Sequence, residues 1–520
     1  MTRFFNTAGP CDPERHYMLP PEARLPEIES LIERGQYFVV HAPRQSGKTT
    51  LFRALAERLL SETRFTTLLA SCETGQTARA DLERGVDAIL HSLEFSAGSL
   101  PASLRPPQPR EVDDQPAETR LKVYLSRWCE RSPRPVVLFL DEIDALRDDT
   151  LVSILRQLRS GYLERPERFP HALALIGLRD VRDYRVDEHE RGTLGTASPF
   201  NIKVRSLTLR NFSPDEVASL LRQHTEATGQ RVTEDAVQEA FEQSRGQPWL
   251  VNALAQQVVE VEARDAEVIE VTDFDRAAAV LIERRDTHLD SLIERLREPR
   301  VQRVIEPILT GSLLAPDLPI DDLRYVEDLG LIVRSDAGLE IANPIYREIV
   351  PRALAQVTQD TLPVHPRAYV AADGTLRFEQ MLDAFVEFWL ENAELYLARQ
   401  PYSEAAAQLV FMAYLQRVVN GGGTIEREYA VGSGRVDLLV RWPAGGLVQR
   451  FAVELKVWRD RRPDPVDQGL EQLKRYLERL RLDQGTLVIF DARSIAPPLP
   501  ERLEMLEQMH EDRSIRIVRL

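Results

Sequence analysis

The apolar run Tyr37-Phe38-Val39-Val40-His41 leads directly into Ala42-Pro43-Arg44-Gln45-Ser46-Gly47-Lys48-Thr49, and Thr50 opens the amphipathic stretch TLFRALAERLL. A buried strand, a tight glycine-containing turn and a helix N-terminus in that order leave few folds open. Turn amides and the first helical amides converge on one point, which therefore favours an anion, and phosphate fits best. The strand before the turn belongs in a parallel sheet covered on both faces. Within the loop, the backbone from Ala42 to Thr50 would cradle phosphates, Lys48 can reach the β- and γ-phosphates of ATP, and the Thr49 hydroxyl can ligate Mg²⁺. Ala42 stands where the pattern has glycine, a small-for-small change.

A second feature points the same way. Val136–Leu140 (VVLFL) ends in Asp141-Glu142, two carboxylates at the end of a core strand. Such groups are costly there unless a cation and a water give them work. Asp141 would hold the metal through its water shell and Glu142 would polarise the attacking water. A third strand, Leu173–Leu178, delivers Arg179 at its carboxyl end, placed either to sense the γ-phosphate or to pair with Asp180 on the surface.

The chain has 520 residues, too many for one core, and 43% apolar with 28% charged residues is a globular composition. The alternation of strands and helices predicts an α/β core over 1–205. A helical lid follows over 206–298, beginning at the N-cap Ser213-Pro214-Asp215-Glu216. Residues 299–356 read as a winged-helix-like module: a helix over Ile320–Leu329 and a hairpin of Leu331–Arg334 with Leu339–Ala342. A linker and helix occupy 357–400, and a small α/β domain fills 401–520. The proline-rich stretch 101–118 reads as an exposed loop. A net charge of −16 excludes a general attraction to nucleic acid, so any such contact needs a local basic surface. Three scattered cysteines, no apolar leader and no membrane-length apolar run predict a cytoplasmic protein without membrane contact.

The stretches FFNTAGPCDPERHYMLP, YFVVHAPRQSGKTT, VVLFLDEID, SPFNIKVRSLTLRNFSPDEV and RGQPWLVNALAQQVV resemble the AAA-like ATPases of bacteria, in the AAA+/STAND group of P-loop NTPases near the archaeal-type ATPases. The likeness covers about residues 1–350. It implies a lid in which Gly246-Gln247-Pro248 matches the Gly-x-Pro motif, with Pro248 packed on the nucleotide, and it places Tyr17 near the adenine. Arg179 stands where AAA+ proteins usually have asparagine and STAND members arginine. No secure arginine finger is visible, so hydrolysis by a lone chain and hydrolysis within a homo-oligomer both stay open.

The second informative region is Gly434-Arg435-Val436-Asp437 followed by Phe451-Ala452-Val453-Glu454-Leu455-Lys456, with Pro443-Ala444-Gly445-Gly446 between them. If Gly445-Gly446 is a two-residue hairpin loop, Asp437 lies opposite Glu454. Directly opposed carboxylates repel, and a divalent cation between them reverses the penalty. Lys456 shares the face of Glu454 and can orient water or stabilise charge on a phosphorane. Glu404, at the start of SEAAAQLVFMAYLQRVV, is a candidate third ligand. Gln472 and Tyr476 share one face of the helix GLEQLKRYLERL. A helix with Glu, a strand with Asp, a strand with Glu-x-Lys and a helix with Gln resembles the PD-(D/E)XK nuclease superfamily, over about residues 400–495. The leading proline is replaced by Arg435-Val436. The resemblance implies a nuclease using Mg²⁺ or Mn²⁺ on nucleic acid, with DNA the expected partner. The expectation is therefore a multidomain α/β protein whose ATP state controls a nuclease, the plan of a defence or nucleic-acid-processing effector. The rival is a STAND-like switch whose C-terminal domain only binds.

Overall fold

The computed structural model describes residues 3–179, 205–284, 292–309, 317–335, 338–361, 368–397, 406–420, 422–431, 434–460, 462–510 and 512–520. The chain divides into two compact units, 1–284 with 324–332 and 285–323 with 333–520.

In the first unit, β1 (Tyr37–His41), β2 (Thr66–Ser71), β3 (Val136–Asp141), β4 (Ala172–Gly177) and β5 (Arg205–Thr208) form a parallel sheet in the order β2-β3-β4-β1-β5. The strands read as unbroken apolar runs because both faces are covered. Tyr37, Val39, Leu138, Leu140, Leu173 and Leu175 turn into one core, while Phe38, Val40, Val137, Phe139, Ala174 and Ile176 turn into the other. Each fully buried Val, Leu, Ile or Phe among them contributes about 1.5–3 kcal/mol. Parallel pairing brings the carboxyl ends of β3, β4 and β1 to one edge of the sheet, side by side.

Residues 101–118 depart from the expected exposed loop. Leu104, Pro107, Pro109 and Val112 are buried, and the Trp128 indole N–H donates to the Leu104 carbonyl at 2.9 Å. The prolines shape short turns whose apolar side chains cover a core helix, so composition alone misjudged the segment.

Four helices follow the sheet, Pro214–Thr228, Glu234–Ser244, Pro248–Gln257 and Val271–Arg284. The first begins with a reciprocal cap: Ser213 Oγ accepts from the Glu216 N–H at 3.3 Å, and the Glu216 carboxylate accepts from the Ser213 N–H at 2.7 Å. Gly246 has φ +70°, and a Cβ there would lie 2.0 Å from the Phe212 carbonyl oxygen. Glycine is thus required where the Phe212 backbone meets this turn. The two-residue strands β6 (Arg231–Val232) and β7 (Val268–Ile269) pair in parallel. Helix Ile320–Asp328 precedes the hairpin of β8 (Ile332–Ser335) and β9 (Gly338–Ile341).

The second unit contains a six-stranded mixed sheet of β10 (Thr424–Val431), β11 (Gly434–Ala444), β12 (Leu447–Trp458), β13 (Gln484–Asp491), β14 (Glu504–His510) and β15 (Arg513–Arg519), in the order β10-β11-β12-β13-β15-β14. Phe385 and Trp389 of helix Phe378–Leu397, and Phe411 and Tyr414 of helix Ala406–Val419, share a core with Val453, Val488 and Phe490. On the opposite face, Leu473 and Leu477 of helix Val466–Leu480 meet Leu439, Ala452 and Ile489. Among the described residues no helix is long and apolar enough to cross a membrane.

Candidate functional site

The loop after β1 is held in a strained-looking turn by residues suited to it. Gly47 has φ +88° and Gln45 φ +56°, and helix Lys48–Ser61 starts directly after Gly47. The Lys48 ammonium donates to the carbonyls of Ala42 at 2.7 Å and Pro43 at 2.8 Å. Burial pushes its pKa down to about 8, although Asp141 and Asp144 act in the opposite direction. The Thr49 hydroxyl donates to Asp141 Oδ2 at 2.6 Å. Glu142, in the left-handed region at φ 55°, accepts from Ser71 Oγ at 2.5 Å. Burial raises the pKa of both carboxylates. The structure therefore brings together Lys48, Thr49, Asp141 and Glu142, the set expected for a Mg²⁺–nucleotide. Arg179 lies at the end of β4 with its guanidinium 4.1 Å from the ring centre of Tyr325.

A cavity of about 260 Å³ adjoins this loop, lined by Gln45, Gly47, Lys48, Thr49 and Thr50 as well as Tyr17 and Pro248. Sequence reasoning missed Arg24, which also lines it. Its guanidinium donates to the Ser46 carbonyl at 2.8 Å and to the Arg210 carbonyl, and it lies 4.8 Å from the Phe212 ring centre. Burial lowers its pKa to about 10. The partners of Arg24 are 22 and 186 residues away in sequence, so no local pattern announces its contact with the loop.

The C-terminal hairpin has the register that a Gly445-Gly446 loop dictates. Both glycines have positive φ, 56° and 84°, as a tight two-residue turn requires. Ala444 pairs with Leu447 and Leu438 with Val453, so Asp437 and Glu454 occupy the next opposed positions. Asp437 Oδ2 accepts from the Leu455 N–H at 2.7 Å, and the Lys456 ammonium donates to Glu454 Oε1 at 2.7 Å. Glu454 is 2% exposed, and its Oε2 has no partner among the described residues. Burial, followed by the charge of Asp437, raises its pKa to about 7, with Lys456 and then the Asp437 backbone N–H opposing. Gln472 Oε1 is likewise buried and without a partner among the described residues. A buried carboxylate oxygen lacking a donor fits a divalent cation, because the cation supplies the missing charge. Among the described residues no three His, Cys, Asp or Glu side chains form a ready-made cage. Glu404, the candidate third ligand, lies outside the described residues.

Comparison with known proteins agrees with this two-part reading. A model of the AAA ATPase domain matches residues 24–165, and one of the endonuclease NucS C-terminal domain matches residues 403–520. Over 120 residues the chain is 36% identical to the endonuclease NucS of Mycobacterium marinum, covering 22% of this chain and 47% of that protein. The NucS of Mycobacterium ulcerans matches at 36% over 120 residues, 46% of its length. The chain thus spans about half the length of these curated relatives. Among solved structures, the Walker-type ATPase PABY2304 of Pyrococcus abyssi aligns with TM-score 0.46 and 16% identity, over 66% of this chain and 99% of that one. The Thermotoga maritima RuvB Holliday junction branch migration motor aligns with TM-score 0.34 and 16% identity, over 63% of this chain and 92% of that one. The chain carries an AAA ATPase domain followed by a domain of a PD-(D/E)XK-like nuclease family.

Proposed function

We propose that this protein is an ATPase whose nucleotide state controls a Mg²⁺- or Mn²⁺-dependent phosphodiesterase acting on nucleic acid, with DNA the expected substrate. The observation that carries the nuclease half is Glu454: buried, one oxygen unpartnered, beside Lys456 and opposite Asp437. A structural role would leave no reason to bury an incompletely paired carboxylate next to another.

In this reading Asp437 and Glu454 hold the cation. A divalent ion held there supplies Lewis-acid charge to a phosphodiester oxygen and lowers the pKa of water. Lys456, once Glu454 is engaged by the ion, orients the attacking water and offsets charge developing on phosphorus. Gln472 donates or accepts at the same site through its carboxamide. At the P-loop, Lys48 leaves the carbonyls of Ala42 and Pro43 for the β- and γ-phosphates. Thr49 and Asp141 hold Mg²⁺ and its water shell, and Glu142 accepts a proton from the attacking water. The protein works in the cytoplasm, in nucleic-acid processing or defence, and assembly into a homo-oligomer would supply the missing arginine finger.

Incubation of purified protein with single- and double-stranded DNA and RNA, with Mg²⁺ or Mn²⁺, tests the reading. Metal-dependent cleavage by wild type and its loss in Glu454→Gln are expected. Absence of cleavage under every nucleotide condition would favour the switch that only binds.

A further inference from the structure

The cavity beside the P-loop has two kinds of wall. Gly47, Lys48 and Thr49 present an amide, an ammonium and a hydroxyl, which suit phosphate, whereas Phe212, Leu220 and Pro248 present a ring and aliphatic carbon, which suit a flat base. Part of the main chain near that apolar wall is already occupied. Gln223 accepts from the Met18 N–H at 3.3 Å and donates to the Met18 carbonyl at 3.0 Å. The Tyr17 N–H donates to the Phe4 carbonyl at 3.0 Å. Base recognition through these groups would require the local structure to open.

Asn252 differs. It lines the cavity and is 7% exposed. Its Nδ2 donates to the Pro248 carbonyl, one helical turn back, at 2.8 Å. A carbonyl only accepts, so this bond fixes which end of the amide meets the helix and turns Oδ1 the other way. That oxygen has no hydrogen-bond partner among the described residues. Tyr17 lines the same cavity, and its hydroxyl is also buried without a hydrogen-bond partner among the described residues. Asn252 thus offers an acceptor and Tyr17 a donor, both unused.

We propose that Asn252 Oδ1 accepts a hydrogen bond from the exocyclic amine of adenine and selects adenine over other purines; the proposal rests on the nucleotide site assigned above. Adenine carries that amine between two ring-nitrogen acceptors, N1 and N7, and so complements a cavity whose lining residues offer both an acceptor and a hydroxyl donor. Hypoxanthine and guanine place a carbonyl oxygen at the same position, setting two acceptors against each other. Purine with hydrogen there leaves Oδ1 buried and unsatisfied, which weakens binding by on the order of tenfold.

Calorimetric titration of the full chain with nucleoside diphosphates, which this site cannot turn over, tests the assignment. Wild type should bind ADP about tenfold more tightly than purine riboside diphosphate and more tightly still than inosine diphosphate. Asn252→Leu, of similar size without the acceptor, should bring all three within about twofold of one another. Asn252→Ala gives the same comparison should the leucine variant fail to fold. Equal wild-type affinities for ADP and purine riboside diphosphate, or a preference that survives loss of Asn252, would overturn the proposal. So would a variant that loses only its preference for ADP over 2′-deoxyADP, because the oxygen would then face ribose. Binding of no nucleotide at all would overturn the P-loop reading beneath it, whereas unselective binding would leave that reading standing.

Discussion

The P-loop and the C-terminal hairpin are opposite solutions to burying charge. At the P-loop burial pushes a cation down, with Lys48 near pKa 8; at the hairpin it pushes an anion up, with Glu454 near 7. Lys48, Thr49 and Glu142 all find protein partners, while Glu454 keeps one oxygen unpartnered among the described residues. At the first site Lys48 waits with its ammonium satisfied by carbonyls that a phosphate must displace. The second waits in an unsatisfied state that a cation completes. The comparison predicts that the two ligands respond to pH with opposite signs.

The largest effect expected is on nucleotide binding. Lys48→Ala should weaken it by about a hundredfold or more, since charge-assisted bonds to two phosphates disappear. Metal binding at the hairpin should be unchanged. Equal loss at both sites, read by calorimetry, would break the claim that their chemistry is separate.

Next comes turnover. Glu142→Gln should retain ATP affinity and lower the hydrolysis rate on the order of 10²–10⁴-fold, the usual contribution of a general base. An unchanged steady-state rate removes Glu142 from that role.

The pH responses follow. A cation binds the deprotonated Glu454, so metal affinity should fall as pH drops through about 7, by up to about tenfold per pH unit where one proton is released. Phosphate favours protonated Lys48, so nucleotide affinity should fall as pH rises through about 8. Parallel pH profiles for the two ligands would contradict the comparison. In the metal-free protein, a carboxyl whose pKa is raised by folding stabilises at low pH, and that contribution is lost as pH rises through about 7.

The smallest effect is on melting. Asp437→Asn removes the charge that opposes Glu454 yet keeps an oxygen able to accept from the Leu455 N–H. The metal-free melting temperature should hold or rise, and the increase caused by Mn²⁺ should vanish. A drop of several degrees without metal would make Asp437 a structural residue.

These sites were legible to different depths for physical reasons. The P-loop is eight contiguous residues after a buried strand, so its chemistry and context are local. The opposition of Asp437 and Glu454 could be read because Gly445-Gly446 leaves one favoured register, and strand pairing then follows by counting. Arg24 and Asn252 were not legible, because their relation to the cavity depends on segments brought together only by folding. Residues 101–118 were misread since proline content signals turns but says nothing about which side chains those turns bury; Leu104 and Val112 lie in the core.

The central claim is that nucleotide state governs the hairpin nuclease, and one measurement addresses it most directly: Mn²⁺-dependent cleavage of nucleic acid by Lys48→Ala and Glu142→Gln, with ATP present. The first variant holds the nucleotide-free state and the second the ATP-bound state. The account predicts clearly different cleavage rates for the two, both abolished by adding Glu454→Gln. Identical rates in the two backgrounds would contradict it and leave two independent enzymes on one chain.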